Sequence, residues 1–386
     1  MNVKELDEKY VANTYKRFPV EIVSGKGASL IDEAGKKYVD MGAGIAVNTF
    51  GMADDEWINA VTAQLAKFQH TSNLYYTEPC AKLAKMLCER TGMKKVFFSN
   101  SGAEANECAI KAAREYGITT KGEEYYNIIT LENSFHGRTM ATLSATGQAV
   151  FHEHFGPMLA GFIHTPANDC EALEKAVEEN KVCAIMFECV QGEGGVMPLT
   201  KEFVAKISKL AKKYDLVTIA DEVQTGNGRT GKLYAYMNFD IVPDIVSTAK
   251  GLAAGLPMGA TLFGEKTADI YKPGMHGSTF GGNPVCAAGA VNVISRLTDD
   301  FLSEVSAKAK YIKNALEGAK GIKTVSGMGL MIGLETEKEA VQVVAEAMER
   351  GVLLLTAKKK VRLLPPLSIT FEELEKAVEV IKEVCA

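Results

Sequence analysis

KVFFSNSGAEANECAIKAAREYG, residues 95–117, contains the succession that decides the fold. A short run of β-branched and aromatic residues passes through a turn of small residues into a stretch whose apolar positions recur at helical spacing. The pattern repeats downstream. The apolar runs NIIT (127–130), CAIMFE (183–188), LVTIA (216–220), DIVSTA (244–249) and ATLFG (260–264) alternate with helical stretches such as KEFVAKISKLAKKY (201–214). Strands that are apolar throughout and separated by helices predict a mostly parallel sheet covered on both faces, an α/β fold. Upstream, ASLIDEAGKKYVDMG (28–42) reads as two strands joined through Glu33–Gly35, and 54–70 and 78–90 read as helices. One long helix is expected from about residue 284, followed by the short strands GLMIGLET (329–336) and VRLLPP (361–366) between helices. The predicted division is a large domain over 50–285 and a small α/β domain built from 1–49 and 286–386.

Composition sets the outer bounds. A chain of 386 residues with 47% hydrophobic and 24% charged residues is an ordinary globular protein, large enough at roughly 150 residues per domain for about two domains. The net charge of −5 provides no global positive field for nucleic acid or anionic lipid, so neither is an expected partner. The charged start MNVKELDEKY and the lack of a long apolar run predict neither signal peptide nor membrane span, hence a cytoplasmic protein. Eight cysteines without a C-x-x-C pair suggest reduced thiols rather than a disulfide framework or a zinc site, and no metal is expected.

The 35 glycines cluster in the connections after the strands, at SNSGAEA (99–105), SFHGRT (134–139), QGEGGV (191–196), QTGNGRTGK (224–232), KGLAAGLPMG (250–259) and HGSTFGGN (276–283). Ligands of open α/β sheets sit beyond the carboxyl ends of the strands, so these loops predict one large site. Two patterns mislead. QTGNGRTGK resembles both a dinucleotide fingerprint and a P-loop, but Leu233 stands where a P-loop needs Ser or Thr, and KLYAYMNFDIVPD does not read as the helix a dinucleotide motif must open. His152, Glu153 and His154 lack the i, i+4 spacing of a metal-binding helix and read as surface residues.

Three features carry chemistry. Lys250 ends DIVSTA at the predicted carboxyl edge of the sheet, where desolvation would lower its pKa and favour Schiff-base chemistry; the alternative is a lysine that reaches solvent. Asp221 follows LVTIA and could pair with a protonated pyridine nitrogen or serve only as a cap. SNSGAEANE reads as a strand, a small-residue turn and a helix start, either a phosphate cradle or a plain N-cap. A Schiff-base lysine, a ring-nitrogen acid and a phosphate seat together are what pyridoxal 5'-phosphate requires.

With GIAVN (44–48), HTSNLYY (70–76), FFSNSGAEANE (97–107), SFHGRT, QGEGGV, DEVQTGNGRTG, PDIVSTAKG and HGSTFGGNP in this order, the chain resembles the fold-type I, class III pyridoxal-phosphate aminotransferases. The resemblance runs from about Tyr15 to the C-terminal helix and is strongest to the acetylornithine aminotransferase branch. It implies a large cofactor-binding domain and the following roles. Lys250 would be the Schiff-base lysine, Asp221 the partner of the pyridine nitrogen and Gln224 the contact to the phenolic oxygen. Val223 and Phe135 would pack on the two ring faces. Ser101, Gly102 and Ala103 would seat the phosphate, with Thr279 reaching the phosphate of the neighbouring subunit in a homodimer. Arg138 and Arg362 would bind substrate carboxylates, Glu193 would neutralise Arg362, and Tyr15 and Ser278 would lie near substrate. The implied reaction moves the terminal amine of N2-acetylornithine to 2-oxoglutarate, in arginine biosynthesis, giving N-acetylglutamate 5-semialdehyde and glutamate. N-succinyl-diaminopimelate, succinylornithine, ornithine and 4-aminobutyrate are the rival donors. This chain departs from the family pattern at Gly51–Asp54, at Cys189 and in TAKKKVR (356–362), a shortened loop that bears on where Arg362 lies.

Overall fold

The computed structural model describes residues 1–386. At its centre is a seven-stranded sheet in the order Lys95–Ser99, Gly259–Phe263, Ile245–Thr248, Val217–Asp221, Val182–Phe187, Asn127–Leu131, Phe162–Thr165. Only Gly259–Phe263 runs antiparallel to its neighbours; the other pairs are parallel. Every residue of Val182–Phe187 and of Val217–Asp221 is buried, which is why these strands are apolar without alternation. The edge strand Phe162–Thr165 is not among the expected runs. It is only half-buried and includes His164, whose Nδ1 bonds the Thr130 hydroxyl at 2.8 Å, so its sequence lacks a strong apolar signal.

The helix Gly102–Lys121 starts where the small-residue turn predicts. The Ser101 hydroxyl accepts from the Glu104 N–H at 3.2 Å, and Ala105, Ala109, Ala112 and Ala113 are buried against the sheet. Small residues let the helix lie close: a Cβ on Gly117 would stand 2.2 Å from the Tyr125 carbonyl oxygen. The long helix expected from residue 284 is two, Pro284–Arg296 and Asp299–Leu316. The break is local, because the Thr298 hydroxyl caps the second helix by accepting from the Phe301 N–H at 3.2 Å. That turn sets the second helix against the C-terminal helix Phe371–Cys385.

The expected strands on either side of Glu33–Gly35 are Ser29–Asp32 and Lys37–Asp40. They join Ile22–Lys26 and Val352–Leu353 in a four-stranded sheet, with Val39 opposite Val352. A second four-stranded sheet holds Ile322–Met328, Met331–Thr336, Lys360–Leu363 and Leu355–Ala357, and sets Arg362 opposite Gly333. Gln224–Gly231 forms buried turns rather than a helix start. His152 is half-buried rather than a surface residue, its Nε2 within 2.9 Å of the Leu143 carbonyl and 2.8 Å of the Thr146 carbonyl. All eight cysteines are free, and no helix is long and apolar enough to cross a membrane.

Candidate active site

Loops beyond the carboxyl ends of the central strands enclose a cavity of about 400 Å³ whose walls include Ser101, Gly102, Ala103, Phe135, Arg138, Asp221, Val223, Gln224 and Lys250. Lys250 follows the strand Ile245–Thr248 and adopts φ +43, a left-handed conformation that is strained for a residue with a Cβ. Its side chain faces the cavity and is walled by protein. Desolvation lowers its pKa, with the Glu193 and Asp221 carboxylates opposing part of that shift.

Asp221 is the last residue of its strand, is 3% exposed and caps no helix. Its Oδ2 accepts from Asn106 Nδ2 at 2.8 Å and from His136 Nδ1 at 2.7 Å, and its Oδ1 accepts from the Val223 N–H at 3.0 Å. Burial alone would depress the His136 pKa, but the Asp221 carboxylate outweighs it and the net shift is upward. Asn106 also donates to the His136 carbonyl at 2.8 Å, tying the two donors together. Beneath them Glu188 accepts from the N–H groups of Phe135 at 2.9 Å and Gly192 at 3.3 Å. Burial pushes the Glu188 carboxyl up to about 7, with His136 opposing and Asp221 adding to the shift.

Reading the sequence for site residues missed Asn106, His136 and Glu188. The available signal was a polar side chain on an otherwise alanine-rich buried helix face for Asn106, and charged or ionisable residues beside apolar strand ends for the other two.

Beside Asp221, the helix starting at Gly102 leaves the N–H groups of Gly102 and Ala103 without intrahelical acceptors. A Cβ on Gly102 would lie 2.6 Å from Val223 Cγ1, so glycine is what lets the turn and Val223 share this wall.

Arg362 and Glu193 do not line this cavity but adjoin it through Gln224, and Arg362 is buried, 3% exposed, rather than a surface arginine. Its NH1 donates to Glu193 Oε1 at 2.5 Å and to Gln224 Oε1 at 3.2 Å, while Gln224 Nε2 donates to Glu193 Oε1 at 3.2 Å. The shortened 356–362 loop therefore still delivers Arg362 to Glu193. Burial alone would raise the Glu193 carboxyl, but Arg362 outweighs it and holds the pKa below the usual value.

Tyr15, Ser278 and Thr279 are not brought into this cavity. Tyr15 is 72% exposed, and Thr279 is exposed on an outward loop. Ser278 lines a second cavity of about 670 Å³ with Tyr75, Tyr76 and His276, and its hydroxyl accepts from Asn100 Nδ2 at 3.1 Å.

A lysine biased toward its neutral form, an acid held by three donors, an anion cradle and one masked arginine can support exchange of an amine at a carbonyl group. The family model described as "Aminotransferase class-III" matches residues 10–385. An acetylornithine aminotransferase of Haemophilus ducreyi is 50% identical over 384 residues, 99% of this chain and 98% of that one. One of Methanothermobacter thermautotrophicus is 44% identical over 386 residues, 98% of this chain and 97% of that one. Among solved structures, the N-acetylornithine aminotransferase from Stenotrophomonas maltophilia matches with a TM-score of 0.85 and 33% identity, covering 98% of this chain and 97% of that one. The ornithine aminotransferase from Toxoplasma gondii matches with a TM-score of 0.94 and 31% identity, covering 99% and 94%.

Proposed function

The chain belongs to the class III aminotransferases, and from that premise we propose that it moves the terminal amino group of N2-acetylornithine to 2-oxoglutarate, giving N-acetylglutamate 5-semialdehyde and glutamate in arginine biosynthesis. The observation that carries this reading is the unequal state of the two arginines. Arg138 faces the cavity without an anionic partner, whereas Arg362 is covered by Glu193. A donor with a single carboxylate and an acylated α-amine needs one guanidinium, and a dicarboxylic acceptor can use both once it displaces Glu193. The 40–50% identity to acetylornithine aminotransferases supports the choice of donor.

Pyridoxal phosphate would supply the carbonyl that takes up the amino group and the ring that accepts electrons. The residues fit such a group. Gly102 and Ala103 N–H groups with the Ser101 hydroxyl would receive the phosphate, Phe135 and Val223 would flank the ring, and Gln224 would meet its phenolic oxygen. Asp221, held by Asn106, His136 and the Val223 N–H, would pair with the protonated ring nitrogen. Lys250 would anchor the cofactor and then carry the substrate proton, since its lowered pKa leaves more of it neutral.

The proposal extends to a homodimer in which Thr279 reaches the partner subunit's phosphate and Tyr15 and Ser278 approach substrate. The exposed Leu74, Tyr75, Tyr76 and Phe280 beside that loop support an interface there. A division into a 50–285 domain and a small domain from 1–49 and 286–386 is supported by the pairing of Val39 with Val352. Eight free cysteines favour a reducing, cytoplasmic setting.

Half-reaction rates of the holoenzyme with N-acetylornithine, ornithine and N-succinyl-diaminopimelate test the donor. N-acetylornithine is expected to react fastest, and a preference for free ornithine would overturn the choice. Ornithine is the sharpest rival because of the fold match to an ornithine aminotransferase.

A further inference from the structure

Arg138 differs from Arg362 in how its guanidinium is spent. Arg362 uses its N–H edge on Glu193 and Gln224. Arg138, an exposed residue, makes no hydrogen bond or ion pair; its guanidinium carbon lies over the Phe151 ring, 4.2 Å from the centroid, and 5.5 Å from the centroid of Phe135. The two rings meet edge to face at 5.6 Å and 74°. A guanidinium held over an aromatic ring by cation–π attraction spends none of its N–H groups on a protein acceptor, so they stay available to a carboxylate.

Phe151 is itself anchored. Its short helical turn, Ala149–Phe151, follows a strip pinned along residues 132–134: the Asn133 N–H donates to the Gly147 carbonyl at 2.7 Å, the Gly147 N–H to the Ser134 hydroxyl at 3.0 Å, and Gln148 Nε2 to the Ser134 carbonyl at 3.1 Å. The approach is close, since a Cβ on Gly147 would stand 2.0 Å from the Leu131 carbonyl oxygen. On the other side His152 Nε2 lies within hydrogen-bonding distance of two carbonyls of the preceding turn. The ring is therefore fixed relative to the strand end that presents Phe135 and Arg138.

We infer that Phe151 is a positioning residue for substrate carboxylates: it holds the Arg138 guanidinium over its ring, with no N–H spent on protein, for the carboxylate of both donor and acceptor. This rests on the reading of Arg138 as a carboxylate-binding residue. The same unspent N–H groups would serve both half-reactions.

The test uses holoenzyme half-reactions with N-acetylornithine and with 2-oxoglutarate, followed at the cofactor's visible absorption band. Phe151→Leu keeps apolar bulk and removes the aromatic face. It should raise Kd for both substrates by roughly three- to thirtyfold, the range of a cation–π contact from exposed to desolvated, with little change in the saturated rate or the cofactor spectrum. Phe151→Tyr should restore wild-type Kd. In an Arg138→Ala background Phe151→Leu should add nothing. The inference is overturned if Phe151→Leu leaves both Kd values unchanged while Arg138→Ala raises them, if its effect persists without Arg138, or if it loosens the cofactor instead of the substrates. If Arg138→Ala itself leaves both Kd values unchanged, the reading of Arg138 fails and the inference falls with it.

Discussion

Glu193→Gln removes the charge that masks Arg362 and keeps the side-chain shape. In the wild type Arg362 NH1 lies 2.5 Å from Glu193 Oε1, and the Arg362 side chain is 4% exposed. Opposite unit charges about 4 Å apart attract by about 4 kcal/mol at an effective dielectric of about 20, and the cost of desolvating both offsets part of that. The substituted amide still accepts from a charged guanidinium, so what is lost is the ion-pair attraction left after desolvation, and the amide should hold Arg362 more weakly by about 1–2 kcal/mol. On the proposed reading a dicarboxylic acceptor takes the place of residue 193 on Arg362, and that displacement becomes easier by the same amount. Its Kd should fall about five- to thirtyfold.

Stopped-flow half-reactions of the pyridoxamine form with 2-oxoglutarate and with pyruvate measure this directly. The tightening should appear for 2-oxoglutarate and not for pyruvate, which has no second carboxylate. The donor half-reaction should weaken, because the amine-bearing end of the donor would approach an uncovered guanidinium. Equal tightening for both oxo acids, or none for 2-oxoglutarate, would refute the masking argument. The pH dependence has a defined sign. The Glu193 carboxyl is held below its ordinary 4.5 in the folded protein, so the pair's contribution to stability is present above about pH 4.5 and is lost as pH falls through the lowered value.

Further outcomes concern the cofactor side of the cavity. With the cofactor removed, the stability of wild type relative to Lys250→Met should rise with pH toward the ordinary lysine value of 10.5, because the unfolded chain binds the proton that the buried lysine gives up; thermal melts at neutral and alkaline pH check it, and a difference that shrinks with pH contradicts it. Asn106→Ala takes one donor from the Asp221 carboxylate and should weaken cofactor binding about ten- to a hundredfold, from about 1.5–3 kcal/mol for a hydrogen bond to a charged group; titration of the apoprotein with pyridoxal phosphate is the measurement. Gly102→Ala drives a methyl to 2.6 Å from Val223 Cγ1 and should cost cofactor affinity well before it costs melting temperature, whereas a lowered melting temperature with unchanged cofactor affinity would place the strain elsewhere.

Several elements were legible as sequence because they depend on near neighbours. Apolar runs alternating with helical stretches specified an α/β sheet, and the small residues after Ser99 predicted where the helix Gly102–Lys121 begins. Glycines of three clusters, Gly102, Gly137 and Gly255, line the cavity, whereas HGSTFGGN lines the second one, and Lys250 and Asp221 stood out as polar residues ending apolar strands. Legibility failed where the signal was weak or the contact distant. Phe162–Thr165 has a polar, half-buried edge pattern, and a single threonine cap, Thr298, splits what periodicity reads as one helix.

The encirclement of Asp221 by Asn106 from a helix and His136 from a loop, with Glu188 beneath, depends on strand order in the central sheet, which brings together residues as far apart in sequence as Asn106 and Asp221. Likewise, Arg362 could be a surface arginine or a buried one until the pairing of Lys360–Leu363 with Met331–Thr336 carried it to Glu193. By itself, the sequence determined the elements, the loops and the reactive side chains at strand ends, because periodicity and turn chemistry act over a few residues. Only the tertiary structure decided which charges are masked, which acid is enclosed by donors and which guanidinium is left without an acceptor, because those depend on burial and on partners that meet only when the sheets and helices pack.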